Sequence, residues 1–187
     1  MTVMKDRKKI VAIPGSTKQF STHLNLINTI IDLYSEELET FVFRGLSELT
    51  HYNPDLDNAI PPAKIVNFRK LLSDADGILI CTPEYAMGVP GSLKNALDWT
   101  VSSMEFYHKP VALITASSLG HKGHQSLTET LKIIESDLPD SSRLLISYIK
   151  TKMQEDKIVD AGTLDQVKML MDSFINVMEQ KINLTSD

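Results

Sequence analysis

The chain has one cysteine, Cys81, in 187 residues. That leaves no disulfide framework within it and no cysteine-rich zinc site. No run approaches the roughly 18 apolar residues of a membrane span. Basic residues are in deficit, 19 Lys+Arg against 24 Asp+Glu for a net charge of -5. A general nucleic-acid binder would want a basic face instead. Gly-x-Gly-x-x-Gly is missing, which weakens a dinucleotide-binding Rossmann reading. Gly-Lys-Ser/Thr is missing too, which weakens an NTPase reading. Neither a Gly-x-Ser-x-Gly nucleophile elbow nor a His-Glu-x-x-His zinc motif occurs. The first apolar stretch, Ile10 to Ile13, is cut by Pro14 and is too short for a signal-peptide core. A cytoplasmic protein is expected, with neither nucleic acid nor membrane as partner.

What is present is an ordinary globular composition, 42% hydrophobic and 23% charged. This length predicts one domain over residues 1–187. Ile10–Ile13 reads as a buried strand, and Ser21 or Thr22 as the N-cap of a helix bearing Leu24, Ile27, Ile31 and Tyr34. Leu38–Phe43 is a second strand. Arg44–Ile60 is polar and reads as a loop with a short turn, and Pro61-Pro62 opens a helix with Ile65, Phe68, Leu71 and Leu72. Gly77–Thr82 is a third strand. Gly91-Ser92 precedes a helix expected to carry Leu93, Leu97, Val101 and Met104. Pro110–Thr115 is a fourth strand, Ala116–Gly123 a Ser/Gly loop, and Leu127, Leu131, Ile134 and Leu138 mark the next helix. Leu144–Ile149 is a fifth strand. A capping-box spacing places the start of the last helix at Thr163-Leu164-Asp165-Gln166. Short apolar strands alternating with helices predict an α/β fold, a doubly wound five-stranded parallel sheet with helices on both faces. Ligands of such sheets bind at the carboxyl ends of the strands.

Three loops lie there. The first, Pro14 to His23, offers hydroxyls at Ser16, Thr17, Ser21 and Thr22, a cation at Lys18, and the free N–H groups of a helix start. A phosphate monoester wants all of these, although the same hydroxyls could simply cap the helix. The second, Thr82 to Gly91, has an irregular backbone set by two prolines and two glycines. It could present peptide groups to a flat heterocycle, with Tyr85 and Met87 as walls, or merely connect strand to helix. The third, Thr115 to His124, would let a ring approach its small residues. His121 and His124 have no third ligand evident, so no metal site is expected. Cys81, at the end of an apolar strand, reads as a core residue.

Taken together and in order, these loops resemble the NADPH-dependent FMN reductase family of flavodoxin-like quinone, azo and chromate reductases. The longest match is Pro83-Glu84-Tyr85-Ala86-Met87-Gly88-Val89-Pro90-Gly91-Ser92-Leu93-Lys94-Asn95-Ala96-Leu97-Asp98-Trp99. The family pattern there runs Pro-Glu-Tyr-Asn, two or three residues, Pro-Gly, then Leu-Lys-Asn-Ala-Ile/Leu-Asp-Trp. In the first loop Gly15, Ser16 and Ser21 fit Gly-Ser-x-Arg-x-x-Ser-x-Asn, whereas Lys18 stands for Arg and His23 for Asn. Gly120 and Gly123 match the third loop.

The resemblance implies a flavodoxin-like fold with FMN as cofactor and NADPH or NADH as donor. Ser16, Thr17, Lys18, Ser21, Thr22 and His23 would surround the FMN phosphate. Pro83, Glu84, Tyr85, Ala86, Met87 and Gly88 would follow the isoalloxazine edge, and Ser117, Ser118, Leu119 and Gly120 its other side. Electrons would pass from the nicotinamide through FMN to a small acceptor such as a quinone, azo compound, free flavin or metal oxyanion. Hydride transfer needs no protein acid or base, so no catalytic residue is assigned. The departures at Lys18, His23 and Ala86 bear on how firmly FMN is held. A flavodoxin-type electron carrier, or a non-catalytic binding protein that has lost FMN, are the other readings. The helix after the second loop, with Leu93, Leu97, Trp99, Val101, Met104 and Phe106, has apolar residues on more than one face. With the resemblance, that predicts a homodimer or homotetramer with Trp99 or its neighbours near the interface.

Overall fold

Parallel pairing dominates the architecture. The structure, a computed structural model, describes residues 7–19 and 21–185. Phe20 of the first loop and the basic N-terminal stretch up to Asp6 lie outside the described residues. In chain order the elements are β1 (Lys8–Pro14), α1 (Thr22–Leu33), β2 (Leu38–Val42), α2 (Ala63–Ser73), β3 (Gly77–Thr82), α3 (Gly91–Asp98), β4 (Val111–Ser117), α4 (His121–Ile133), β5 (Arg143–Ser147), α5 (Ile149–Lys152), β6 (Met153–Gln154), β7 (Lys157–Ile158) and α6 (Ala161–Thr185). Strands β1 to β5 form one sheet in the order β2-β1-β3-β4-β5, all parallel. This is the flavodoxin-like order, with its reversal between β1 and β3.

Alternation along each strand sorts the core into two layers. Ile10, Ala12, Leu79, Cys81, Ala112 and Ile114 face Leu26, Ile27 and Ile30 of α1 and Val167, Leu170, Met171 and Phe174 of α6. Their neighbours Val11, Ile13, Ile78, Ile80, Val111 and Leu113 face α2, α3 and α4 through Ile65, Phe68, Leu97 and Leu127. Both faces are therefore covered, which is why β3 is buried at every position. Burial pushes the Cys81 thiol up, in keeping with an inert core residue.

Several boundaries differ from the sequence reading. The helix expected to run through Met104 ends at Asp98. Arg69, from α2, donates from Nε at 2.7 Å and again from Nη2 to the Trp99 carbonyl, an oxygen a continuing helix would use itself. Trp99 and Phe106 are fully buried in the core, while Val101 and Met104 are exposed on turns. Trp99 is thus not an interface residue. Its indole donates to the Thr50 carbonyl at 2.8 Å. The Asn95 side chain accepts from Tyr52 N at 2.7 Å and donates to the same Thr50 carbonyl at 3.1 Å. The second half of the long matched motif therefore clamps the 50–52 loop.

The third loop is also shorter than expected. β4 extends through Ser117 and α4 starts at His121, so His121, Gly123 and His124 are helical. Gly120, the N-cap, has φ +91, and a Cβ there would meet Leu145 Cδ1 at 2.7 Å. The last helix starts before Thr163. Its cap is Asp160, whose carboxylate accepts from Thr163 N at 2.8 Å and Thr163 Oγ1 at 2.6 Å. The β6–β7 hairpin between α5 and α6 is absent from the sequence reading. Its two-residue strands are too short for a period to register.

Candidate functional site

Register brings the loops together. Pro14 pairs with Cys81, Thr82 with Thr115, and Ser117 with Ser147, so β1, β3, β4 and β5 end at one edge of the sheet. The segments leaving them enclose a cleft of 510 Å³ lined by Ser16, Lys18, Ser21, Thr22, His23, Pro83, Glu84, Tyr85, Ala116, Ser117, Ser118 and Tyr148 to Thr151.

Gly15 sets how closely the first loop approaches β3. A Cβ there would lie 2.3 Å from Thr82 Oγ1 and 2.6 Å from Thr82 Cβ, so only glycine fits. Beyond it, Ser16 Oγ accepts from the Lys18 N–H at 3.3 Å and lies 3.2 Å from the Tyr85 hydroxyl, tying the first two loops together. Ser21 is the N-cap of α1, its oxygen accepting from Leu24 N at 3.2 Å. The cap uses Ser21 as acceptor, which leaves its O–H free to donate. The N–H groups of Thr22 and His23, first in the helix, have no partner within it. Lys18, these hydroxyls and these N–H groups form a donor set suited to a phosphate dianion.

His23 braces the loop. Its Nε2 donates to the Ala116 carbonyl of β4 at 2.7 Å, and burial holds its pKa below the ordinary 6.5. The ring is therefore neutral at neutral pH and adds no charge to the phosphate end. In this position, where the family pattern has Asn, it links the ends of β4 and α1.

The second loop contains a tight turn. Tyr85 N donates to the Gly88 carbonyl at 3.0 Å and Gly88 N to the Tyr85 carbonyl at 2.9 Å. Both residues between them have positive φ, Ala86 at 48° and Met87 at 61°. That is the signature of the turn that favours Asn-Gly. The Asn of the family pattern at position 86 thus has a backbone rationale that Ala86 lacks. Glu84 reaches the first turn of α4, accepting from Gly123 N at 2.6 Å near the positive end of that helix.

Not every expected residue meets the cleft. Thr17 lies on a neighbouring cleft with Lys18, Gln19 and Arg44. Ala86, Met87, Gly88, Leu119 and Gly120 lie outside the wall, and Met87 and Leu119 are exposed. Ala116, Tyr148, Ile149, Lys150 and Thr151 line the cleft and were missed. A fifth strand read through Ile149 leaves Tyr148 and Ile149 no place in a loop, whereas β5 ends at Ser147. Parallel strands end at one edge, so the residues after β5 belong with the other three loops. Tyr148, with φ 55, marks the corner.

Comparison with known proteins agrees with this geometry. The family model described as NADPH-dependent FMN reductase matches residues 8–138. A 2-hydroxy-1,4-benzoquinone reductase of Burkholderia sp is 37% identical over 173 residues, covering 89% of this chain and 93% of the relative. The NADH-dependent flavin reductase subunit 2 of Lactobacillus johnsonii is 25% identical over 185 residues, covering 92% and 98%. Among solved structures, FerB, a flavoenzyme NAD(P)H:(acceptor) oxidoreductase from Paracoccus denitrificans, superposes with a TM-score of 0.77 at 23% identity, covering 92% of this chain and 98% of that one. Strands β1 to β4, the anion-ready first loop and the Pro-Glu-Tyr turn all fall inside the matched span, and the chain belongs to the NADPH-dependent FMN reductase family.

Proposed function

We propose that the chain is an NAD(P)H-dependent oxidoreductase that holds FMN in the 510 Å³ cleft and delivers electrons to a small acceptor, with quinones the leading class. The observation that carries this reading is the donor set at the start of α1 sharing one cleft with the Tyr85 turn and the end of β4. The residues fit the cofactor. Lys18, Ser16, Ser21 and Thr22 suit its phosphate, while Tyr85, Glu84 and Ser117–Ser118 border the space left for a flat ring. Bound FMN supplies the redox chemistry, accepting hydride from a nicotinamide and releasing electrons to an acceptor. The chain's part is binding and orientation: no buried acid–base pair faces the cleft among the described residues, and none is required.

The deciding experiment is spectroscopic. Purified protein, supplied with FMN if colourless, should show flavin absorption that NADPH or NADH bleaches anaerobically and a benzoquinone restores. Failure to retain added FMN refutes the reading, and retention without bleaching moves the protein to the electron carriers. One cleft borders the space left for the ring, so donor and acceptor would take turns in it. Initial-rate lines at several acceptor concentrations should be parallel, and intersecting lines would refute the shared site.

The assembly reading is a homodimer or homotetramer in the cytoplasm. With Trp99 and Phe106 buried, its support shifts to Val101, Met104 and Tyr107, exposed between α3 and β4. Light scattering at micromolar concentration tests it: a mass of 20.9 kDa, one chain, refutes the dimer.

A further inference from the structure

We infer that Tyr85, Met87, Leu119 and Tyr148 form an apolar rim at the mouth of the cleft, and that it binds the alkyl or prenyl side chain of a quinone acceptor. This rests on the reading that the cleft holds FMN and that quinones are reduced there. Tyr85 and Tyr148 line the cleft. Met87 and Leu119 lie outside its wall, but Leu119 directly follows the lining residue Ser118, and Met87 belongs to the turn that starts at Tyr85.

Backbone contacts hold the four together. Tyr148 N donates to the Ser118 carbonyl at 3.1 Å, and Ser147 Oγ donates to the Leu119 carbonyl at 2.7 Å. Glu84 accepts from Gly123 N at 2.6 Å, and a Cβ on Gly123 would lie 3.1 Å from the Gly88 carbonyl oxygen. The Tyr85–Gly88 turn is thus packed on the first turn of α4, the helix that begins just after Leu119 and Gly120.

These side chains are held at the surface. Each of the four is more than half exposed. Met87 has φ 61° and Tyr148 φ 55°, a region where an L side chain is strained. Burial within the chain does not offset that strain. Strained backbone beside a cleft is a feature of ligand clamps. Adjoining exposed apolar side chains point to an apolar ligand.

Polarity selects that ligand. The cleft also holds Lys18, Ser16 and Ser21, which suit a phosphate. A nicotinamide dinucleotide is polar beyond its ring and gains nothing from Met87 or Leu119. A quinone with its ring in the cleft and an apolar tail leading out of the mouth satisfies both regions. The tail takes no part in the chemistry. The quinone gains the two electrons and one proton of the donor's hydride by way of FMN, takes a second proton from solvent, and leaves as hydroquinone.

The test uses 2-alkyl-1,4-benzoquinones from methyl to hexyl, which share one redox ring. A fully buried methylene is worth roughly fourfold in affinity, and a rim open to water on one side about twofold. Calorimetric titration of the oxidised, FMN-loaded protein should therefore show binding that tightens about tenfold or more from methyl to hexyl. kcat/KM should rise in parallel. Leu119→Ser and Met87→Asn should each reduce that rise, and the double variant should abolish it, whereas Leu119→Met should keep it. Both positions are exposed and Asn tolerates the left-handed backbone, so the variants should fold. The readout is the hexyl-to-methyl ratio, which a general loss of activity does not move. A wild type indifferent to chain length, or a ratio that survives the double variant, overturns the rim. A surviving ratio with a weaker FMN Kd places these residues at the flavin ring instead. A surviving ratio with a lower mass by light scattering makes them a contact between copies. Failure to take up FMN refutes the underlying reading and the rim with it. FMN uptake without chain-length dependence refutes the rim alone.

Discussion

The turn at Ala86-Met87 stores strain that a substitution can release. Both residues sit at positive φ, 48° and 61°, where an L side chain costs about 1–2 kcal/mol and glycine nothing. Met87 is 77% exposed, so removing its side chain forfeits little burial. Glycine also loosens the unfolded chain, which returns about 0.5–1 kcal/mol of the gain. Met87→Gly should therefore stabilise the FMN-free protein by about 0.5–1 kcal/mol. At this chain length that is a Tm rise of about 1–4 °C. Ala86→Asn should act in the same direction by a smaller amount, because Asn tolerates the left-handed region. The assay is urea unfolding, with the midpoint rising at constant slope. A midpoint unchanged or lowered in both variants would refute the claim that backbone conformation explains the family's Asn at this turn.

Lys18→Ala should weaken FMN binding, more at low salt than at high, and equilibrium titration at two ionic strengths reads this directly; unchanged affinity would mean that Lys18 points away from the phosphate. Gly15→Ala should destabilise the fold by about 1–3 kcal/mol, since its Cβ would lie 2.3 Å from Thr82 Oγ1, and a melt at the wild-type temperature would contradict that contact. Burial holds His23 below its ordinary pKa of 6.5, and burial together with Arg143 and His121 does the same for His124. As pH falls below about 6.5 the unfolded chain takes up these protons first, so the stability present above that pH is progressively lost until the native pKa values are passed. His23→Asn should shrink the difference between urea midpoints at about pH 7 and pH 5.5, and an unaltered difference would clear His23 of the effect.

Much of the frame is legible in residue order because its causes are local. Gly77–Thr82 is apolar throughout, and a strand buried on both faces needs that. Ser21 caps α1 because a short hydroxyl side chain reaches the N–H three residues ahead. The first loop advertises its donors for the same reason, since its hydroxyls, Lys18 and helix start lie within a few residues of each other. Other features have causes distant in the chain. α3 stops where it does because Arg69, 30 residues earlier, takes the Trp99 carbonyl, and no helical periodicity reports a guanidinium arriving from another helix. Thr50, also far in sequence, is what turns Trp99 into a core clamp instead of an interface residue. Tyr148 to Thr151 join the cleft only because β5 pairs with β4 in a register that ends at Ser117 and Ser147. Arg44 and Lys18 border one cleft only because β2 lies beside β1. Period and capping act over a few residues and can be read along the chain. Strand order, register and the capture of a carbonyl by a remote side chain are settled by packing among elements, and only the folded molecule holds them.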